Sequence, residues 1–232
     1  MNILAFDTAT DACSVALLSG ERTLTYHQYK PQQQAALLLP AVDQLMAEAG
    51  LTASLLDGVV FGRGPGSFTG LRIAASAAQG IAFGADVGVI GVSTLAAIAQ
   101  GCMRTTDATD VLVLLDARLS EVYCARYQQD SAGLAKIQGE EQLLAPSNLA
   151  GMISEAMPLS IAGSGVAEYR EIIQPQLHDQ VTLREDCGPD AMDLLTLAMP
   201  EVKAGQWVPP EAALPVYIRD RVALTEAERK VK

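Results

Sequence analysis

A chain of 232 residues, half of them apolar, can bury a core of its own, either as one large domain or as two small ones. Its formal net charge of −11 and its pI near 4.6 exclude a free-standing nucleic-acid binder, which draws most of its affinity from basic residues set against phosphate. If the chain serves RNA, another subunit does the touching.

The opening residues, 2–8, form an apolar strand that ends in Asp7 and Thr8. Residues 12–18 follow as a second strand and 23–29 as a third, so two hairpins open the fold. Asp7 is a candidate catalytic or metal-linked carboxylate. Equally, Asp7 and Thr8 can cap the turn by bonding backbone amides.

After Pro31 the period lengthens to about 3.6. Leu38, Val42, Leu45 and Ala49 share a stripe that ends near Gly50, and Leu37 and Ala41 widen the apolar arc beyond what one buried stripe needs. A short strand at 58–61 leads into Gly62-Arg63-Gly64-Pro65-Gly66-Ser67-Phe68-Thr69-Gly70, and an apolar helix at 71–83 follows.

Glycines at such a strand-to-helix junction allow close backbone approach. Amides from Ser67 to Gly70 could face an anion there, with Asp7, Thr8, Gly64, Gly66, Ser67 and Thr69 making a nucleotide-contact loop. The other reading is a sharp turn with Ser67 or Thr69 capping the helix. The loop lacks the Gly-Lys-Ser/Thr ending of a Walker loop.

Leu71, Ala74, Ala75, Ala78 and Ile81 belong to a helix with only Arg72, Ser76 and Gln79 polar. Two adjacent helices so rich in apolar surface predict a subunit interface through Leu37, Leu38, Ala41, Leu45, Leu71, Arg72, Ala74, Ala75, Ala78 and Ile81. Arg72 opposes the helix dipole in the first turn, which points to a specific contact.

Residues 87–92 form a buried strand, and Ser93-Thr94 caps a helix through Ala99. Beyond a hydrophilic break at 104–110, a strand at 111–116 ends in Asp116 and pairs with 121–127. Asp7 and Asp116 thus hold corresponding places in two similar openings, the sign of a duplicated α/β fold. Residues 146–157 look helical, 159–162 make a short strand, and 190–203 a late helix. Residues 207–210 form a linker, 215–219 an extended segment, and 226–232 a charged tail. Cys13, Cys102, Cys124 and Cys187 show no paired spacing, and no signal-like segment precedes Asn2. They are therefore expected to be reduced thiols of a cytoplasmic protein. Apolar runs break before 18 residues, so no membrane span is expected.

The opening Ile3-Leu4-Ala5-Phe6-Asp7-Thr8, the loop from Gly62 to Arg72, the Asp116-Ala117-Arg118 hairpin and Pro215-Val216-Tyr217-Ile218-Arg219 together resemble the TsaB (YeaZ) family, related to TsaD and to the older glycoprotease label. The resemblance implies an actin-like ATPase (ASKHA) fold of two ribonuclease-H-like subdomains, here 1–104 and 105–206, with a tail at 207–232 that can pack back on the first. It implies a non-catalytic subunit that activates TsaD for threonylcarbamoyl transfer to adenosine 37 of tRNA. The P-loop ATPase TsaE joins the assembly, tRNA is contacted only indirectly, and the chain alone forms a homodimer.

TsaD-like proteins carry a metal-binding His pair at i and i+4, at positions matching Thr94 and Ile98 here. Neither residue can ligate a metal, so no catalytic residue and no metal site are assigned. A His that TsaB-like chains often carry before the Leu-Pro of the first long helix is Gln34 here. No tightly bound cofactor is expected, only ATP or ADP at the partner interface. The competing expectation is an ATPase or kinase that uses the Gly62–Gly70 loop itself.

Overall fold

In the computed structural model, which describes residues 1–153 and 158–219, two five-stranded sheets repeat one plan. The first comprises β1 (Asn2–Asp7), β2 (Ala12–Ser19), β3 (Arg22–Tyr29), β4 (Gly58–Gly64) and β5 (Val89–Ser93). Its order is β3-β2-β1-β4-β5. The first three strands form an antiparallel meander, and β4 and β5 add in parallel. The crossovers to β4 and β5 are α1 (Gln34–Ala49) and α2 (Phe68–Ala85).

The second sheet follows suit with β6 (Asp110–Asp116), β7 (Val122–Gln129), β8 (Ala135–Leu144), β9 (Leu159–Ala162) and β10 (Val181–Arg184), in the order β8-β7-β6-β9-β10. Its meander and its parallel pairs match strand for strand. This duplicated ribonuclease-H-like arrangement is the expected actin-like α/β fold. Strands β8 and β10 have no counterpart in the sequence-based expectation. Residues 146–152, expected to be helical, instead form two short 3₁₀ turns, Pro146–Asn148 and Ala150–Met152. The rest of that expected helix, 154–157, and the charged tail at 226–232 lie outside the described residues.

Helix α1 buries Leu38, Ala41, Val42, Leu45 and Met46 at three- and four-residue spacing against the first sheet. It stops at Gly50, whose φ of 67° suits a residue without a Cβ. Helix α2 packs beside it through Ala74, Ala75, Ala78 and Ala82. The short helices α4 (Ser164–Glu168) and α5 (Arg170–Ile173) cover the outer face of the second sheet.

Between the sheets lie α3 (Thr94–Thr105) and α6 (Ala191–Lys203), and each packs on the other half's strands. Leu95, Ile98, Ala99 and Cys102 of α3 join Val111, Val113, Leu115 and Ala125 of the second sheet. Leu194, Leu195 and Ala198 of α6 join Ile3, Ala5, Val60 and Ile90 of the first. The Arg104 guanidinium then clamps the fully buried Asp193 carboxylate with two bonds of 2.8 and 2.9 Å, the geometry in which a buried ion pair is best compensated. The sheets divide near residue 105, but the packing does not.

From residue 207 the chain returns to the first half. The Trp207 side chain lies where side chains at Gly58 and Gly88 would have to go, its ring against Gly58 and its Cβ against Gly88; Val208 pairs with Val89, and Ala213 is fully buried with α2.

Candidate functional site

The Gly62–Gly70 loop is built around the end of β1. The Asp7 carboxylate is sealed from solvent, accepting the Ala9 amide at 2.7 Å and the Thr94 hydroxyl at 2.8 Å. A Cβ on Gly62 would stand 1.9 Å from Asp7 Oδ2, and one on Gly70 would stand 1.9 Å from the Thr8 carbonyl oxygen. Thr8 in turn donates its hydroxyl to the Gly70 carbonyl at 2.7 Å. Close approach to β1 therefore demands these glycines.

Two of the amides expected to face an anion are engaged within the chain. Ser67 N donates to the Ala9 carbonyl at 2.7 Å, and Gly70 N to Ser67 Oγ at 3.0 Å. Ser67, not Thr69, is the helix cap.

Asp7 and Asp116 are equivalent, as the two openings imply. Each accepts the amide two residues on, Ala9 at 2.7 Å and Arg118 at 2.8 Å, in the same Asx-type turn. Asp116 also accepts the Tyr169 hydroxyl at 2.9 Å and pairs with Arg118.

Burial raises the Asp7 carboxyl above the ordinary carboxylate range, against the lowering pull of the Ala9 amide and the Thr94 hydroxyl. A raised folded-state pKa favours the fold at low pH, and that contribution is lost as pH rises through the raised value. Asp7→Asn removes the titration. Its stability relative to the native chain is expected to improve as pH rises through that window, read from urea midpoints at stepped pH. A pH-independent difference would mean that Asp7 titrates normally.

A cavity of about 1200 Å³ separates the two halves. Of the candidate nucleotide-contact residues, Gly66 and Ser67 line it; Asp7, Thr8 and Gly64 are sealed behind the loop, and Thr69 is exposed outside the lining. Carboxylates from Asp11, Asp116, Glu168, Glu185, Asp186, Asp190 and Asp193 outnumber the guanidiniums of Arg104, Arg118 and Arg219 around its wall. Such a wall repels a bare phosphate chain.

The turn between β6 and β7 carries a feature that the sequence does not announce. Arg118, Leu119 and Ser120, none of them glycine, have φ of 60°, 56° and 59°. Each left-handed residue costs about 1–2 kcal/mol. The turn is held by Ala117 N donating to the Glu121 carbonyl, Glu121 N to the Arg118 carbonyl, and the Arg219 guanidinium on Glu121.

Arg72 has the specific contact that its awkward place on the dipole suggests. Its guanidinium lies 3.8 Å from the centre of the Phe68 ring, and its Nε is 3.4 Å from the Tyr217 hydroxyl. Val216 N donates to the Arg63 carbonyl beside it at 2.8 Å.

Of the other interface candidates, Leu38, Ala41, Leu45, Leu71, Ala74, Ala75 and Ala78 are turned into the chain's own core. They hold α1 and α2 on the sheet and cannot themselves meet a partner. Leu37 and Ile81 are half-buried, and Arg72 is exposed. Beside them on α2, Ile73 and Ala77 are half-buried at the edge of the core, and Gly80, Phe83 and Gly84 are exposed, Phe83 by 80%.

Thr94 and Ile98 share one face of α3; the Thr94 hydroxyl is committed to Asp7, and Ile98 is fully buried. Gln34 donates to the Thr10 carbonyl at 2.7 Å, a structural tie. His27 lies exposed on β3 at the cavity edge. Among the described residues, no group of three or more His, Cys, Asp or Glu is placed to hold a metal ion, and no helix is long and apolar enough to cross a membrane.

Comparison with known proteins places this architecture. A family model described as "TsaD: tRNA N6-adenosine threonylcarbamoyltransferase" matches residues 15–226. The tRNA threonylcarbamoyladenosine biosynthesis protein TsaB of Escherichia coli (strain K12) is 37% identical over 226 residues, covering 96% of each chain. Its namesake in Haemophilus influenzae is 34% identical over 232 residues, covering 96% of this chain and 95% of the other. The structure of YeaZ from Pseudomonas aeruginosa superposes with a TM-score of 0.86 at 41% identity, covering 93% of this chain and 99% of that one. Alike in sequence and in fold along nearly its whole length, the chain belongs to the TsaB (YeaZ) family, within the wider group described by the TsaD family model.

Proposed function

We propose that this chain is a non-catalytic subunit of tRNA N6-threonylcarbamoyladenosine formation, one that docks on TsaD and makes it competent. The observation that carries the docking surface is the outward stripe of α2. Ile73, Ala77, Gly80 and Gly84 recur at helical spacing, flanked by Ile81 and the exposed Phe83, with Leu37 of α1 alongside. Small residues along such a stripe let a second helix approach closely, and the apolar flank rewards its burial.

Thr94 and Ile98, at the positions matching the His pair of TsaD-like proteins, leave the chemistry to the partner. The net charge of −11 suits a cytoplasmic subunit that touches tRNA only through others. TsaE joins as the ATP-hydrolysing member. ATP or ADP belongs at the surface shared with TsaD, since the chain's own cleft is walled by carboxylates. Without TsaD, the same stripe pairs two copies of this chain.

Light scattering on the purified chain, alone and with TsaD, tests this. Alone it is expected to have twice the monomer mass of 24.5 kDa, and with TsaD to give a one-to-one complex at the expense of the dimer. A chain that ignores TsaD would overturn the proposal.

A further inference from the structure

Residues 213–219 leave the core of the first half and reach that of the second. Ala213 is fully buried with α2, and its carbonyl accepts the Gln79 side-chain amide at 3.0 Å. Ile218 packs on the apolar cluster that holds Leu115 and Tyr123. On the way Val216, Tyr217, Ile218 and Arg219 all line the cavity. Pro215 fixes its own φ and keeps Leu214 extended, so this crossing has little freedom to lose on folding.

The crossing is tied at both ends. At the first half, Val216 N donates to the Arg63 carbonyl at 2.8 Å, and the centre of the Tyr217 ring lies 5.5 Å from that of Phe68. Arg72 closes this corner, with its guanidinium 3.8 Å from the Phe68 ring centre and its Nε 3.4 Å from the Tyr217 hydroxyl. At the second half, the Arg219 side chain is only 14% exposed. Its Nη2 lies 2.5 Å from Glu121 Oε2 and 3.4 Å from the Arg118 carbonyl oxygen.

Those two acceptors flank the turn between β6 and β7, where Arg118, Leu119 and Ser120 are left-handed without a glycine. Such a conformation persists only where its surroundings over-determine it. Inside the turn, Ala117 N donates to the Glu121 carbonyl at 3.0 Å and Glu121 N to the Arg118 carbonyl at 3.1 Å. Arg219 grips the same Arg118 carbonyl and the Glu121 side chain from outside. The turn is thus held partly by its own bonds and partly by the end of the crossing segment.

We propose that residues 215–219 are a strap that limits how far the two halves can part along this wall of the cavity, and that couples the first turn of α2 to the β6–β7 turn. Tyr217 and Arg219 are two residues apart, a span of about 7 Å in extended chain, so the strap has no slack to absorb a shift at either end. Whatever grips or frees the Phe68–Arg72 corner is felt across the cavity, in the other half. By linkage the reverse holds as well.

Hydrogen exchange of the intact chain, read by mass spectrometry on peptic peptides, tests the strap. Arg219→Ala is expected to speed exchange at Ala117 and Glu121, read in a peptide covering 115–123, roughly tenfold as charge-assisted bonds are lost. Arg72 contacts Phe68 and Tyr217, neither of them in the turn. Arg72→Ala is nevertheless expected to speed the same peptide roughly threefold, through the strap. Arg219→Lys keeps a cation for Glu121 and should recover part of the protection. In the double variant, Arg72→Ala is expected to add nothing to Arg219→Ala, and peptides from β1 and β4 should exchange as in the native chain throughout. Native exchange at 115–123 in either alanine variant would overturn the strap. So would a gain shared equally by β1 and β4, which would make the arginines props of global stability, or additive effects in the double variant, which would mean that each acts alone.

Discussion

Gly70→Ala is expected to destabilise the chain by about 4 kcal/mol or more, lowering its thermal midpoint by roughly 8–16 °C. The added methyl would sit 1.9 Å from the Thr8 carbonyl oxygen. That oxygen is backbone at the end of a central strand, so it cannot swing aside. The same two residues are tied by the Thr8 hydroxyl on the Gly70 carbonyl, and any shift of α2 that relieves the clash lengthens that bond.

Gly80→Ala, in the same helix, is the control. Nothing stands within 4 Å of its Cβ position, and replacing a mid-helix glycine there should gain about 0.5–1 kcal/mol. The contrast separates the two accounts of the glycine loop. A loop held open for a phosphate would accept a methyl at residue 70 about as readily as at residue 80. A loop seated on β1 cannot. Equal midpoints for the two variants in a thermal melt would unseat the packing account.

The plan of the fold was legible wherever burial imposed a period. Strands β1 to β7 follow short apolar runs or alternation, the long helices α1, α2 and α6 follow three- and four-residue spacing, and the two Asp-ended openings expose the duplication. Strand β8 was not legible because it lies at a sheet edge. Ala-Lys-Ile-Gln-Gly-Glu-Glu-Gln-Leu-Leu buries little beyond Ala135, so no alternation marks it. Strand β10 has only four residues, none fully buried. Yet the duplication implies both, since the first half needs a third and a fifth strand and the second must match it.

At the candidate site, residue type singled out α1 and α2 but could not tell the inward side of α2 from the outward one. Alanines run all round α2 and tell nothing of which face is inward. The distinction came only from the sheet, which buries Ala74, Ala75 and Ala78, takes Ile73 and Ala77 in part at the edge of the core, and leaves Gly80 exposed. The exchange of α3 and α6 between halves is a tertiary fact, carried by contacts such as Arg104 with Asp193 about ninety residues apart. The left-handed run at Arg118, Leu119 and Ser120 has no glycine or asparagine to announce it.

That distinction between faces sets up the second large effect. Gly80→Glu is expected to weaken both self-association and TsaD binding by on the order of 100-fold, the equivalent of about 3 kcal/mol for burying an unpaired carboxylate. The isolated fold should be no less stable, because residue 80 is exposed, open and helical, and glycine is the poorer helix former. Ala78→Glu, two residues away, should lose the complex for another reason. Ala78 is fully buried among Leu38, Leu45 and Phe61, and a carboxylate there breaks the core itself.

A thermal melt beside the light-scattering run tells the two apart: the midpoint is kept in Gly80→Glu and lost in Ala78→Glu. Gly80→Lys extends the test, since it changes the sign of the charge but keeps the bulk. If the α2 stripe works by close helix approach, lysine blocks association as glutamate does. If only added negative charge on an already acidic chain matters, lysine spares it. A Gly80→Glu chain that still dimerises and still takes up TsaD would remove the stripe from the interface altogether.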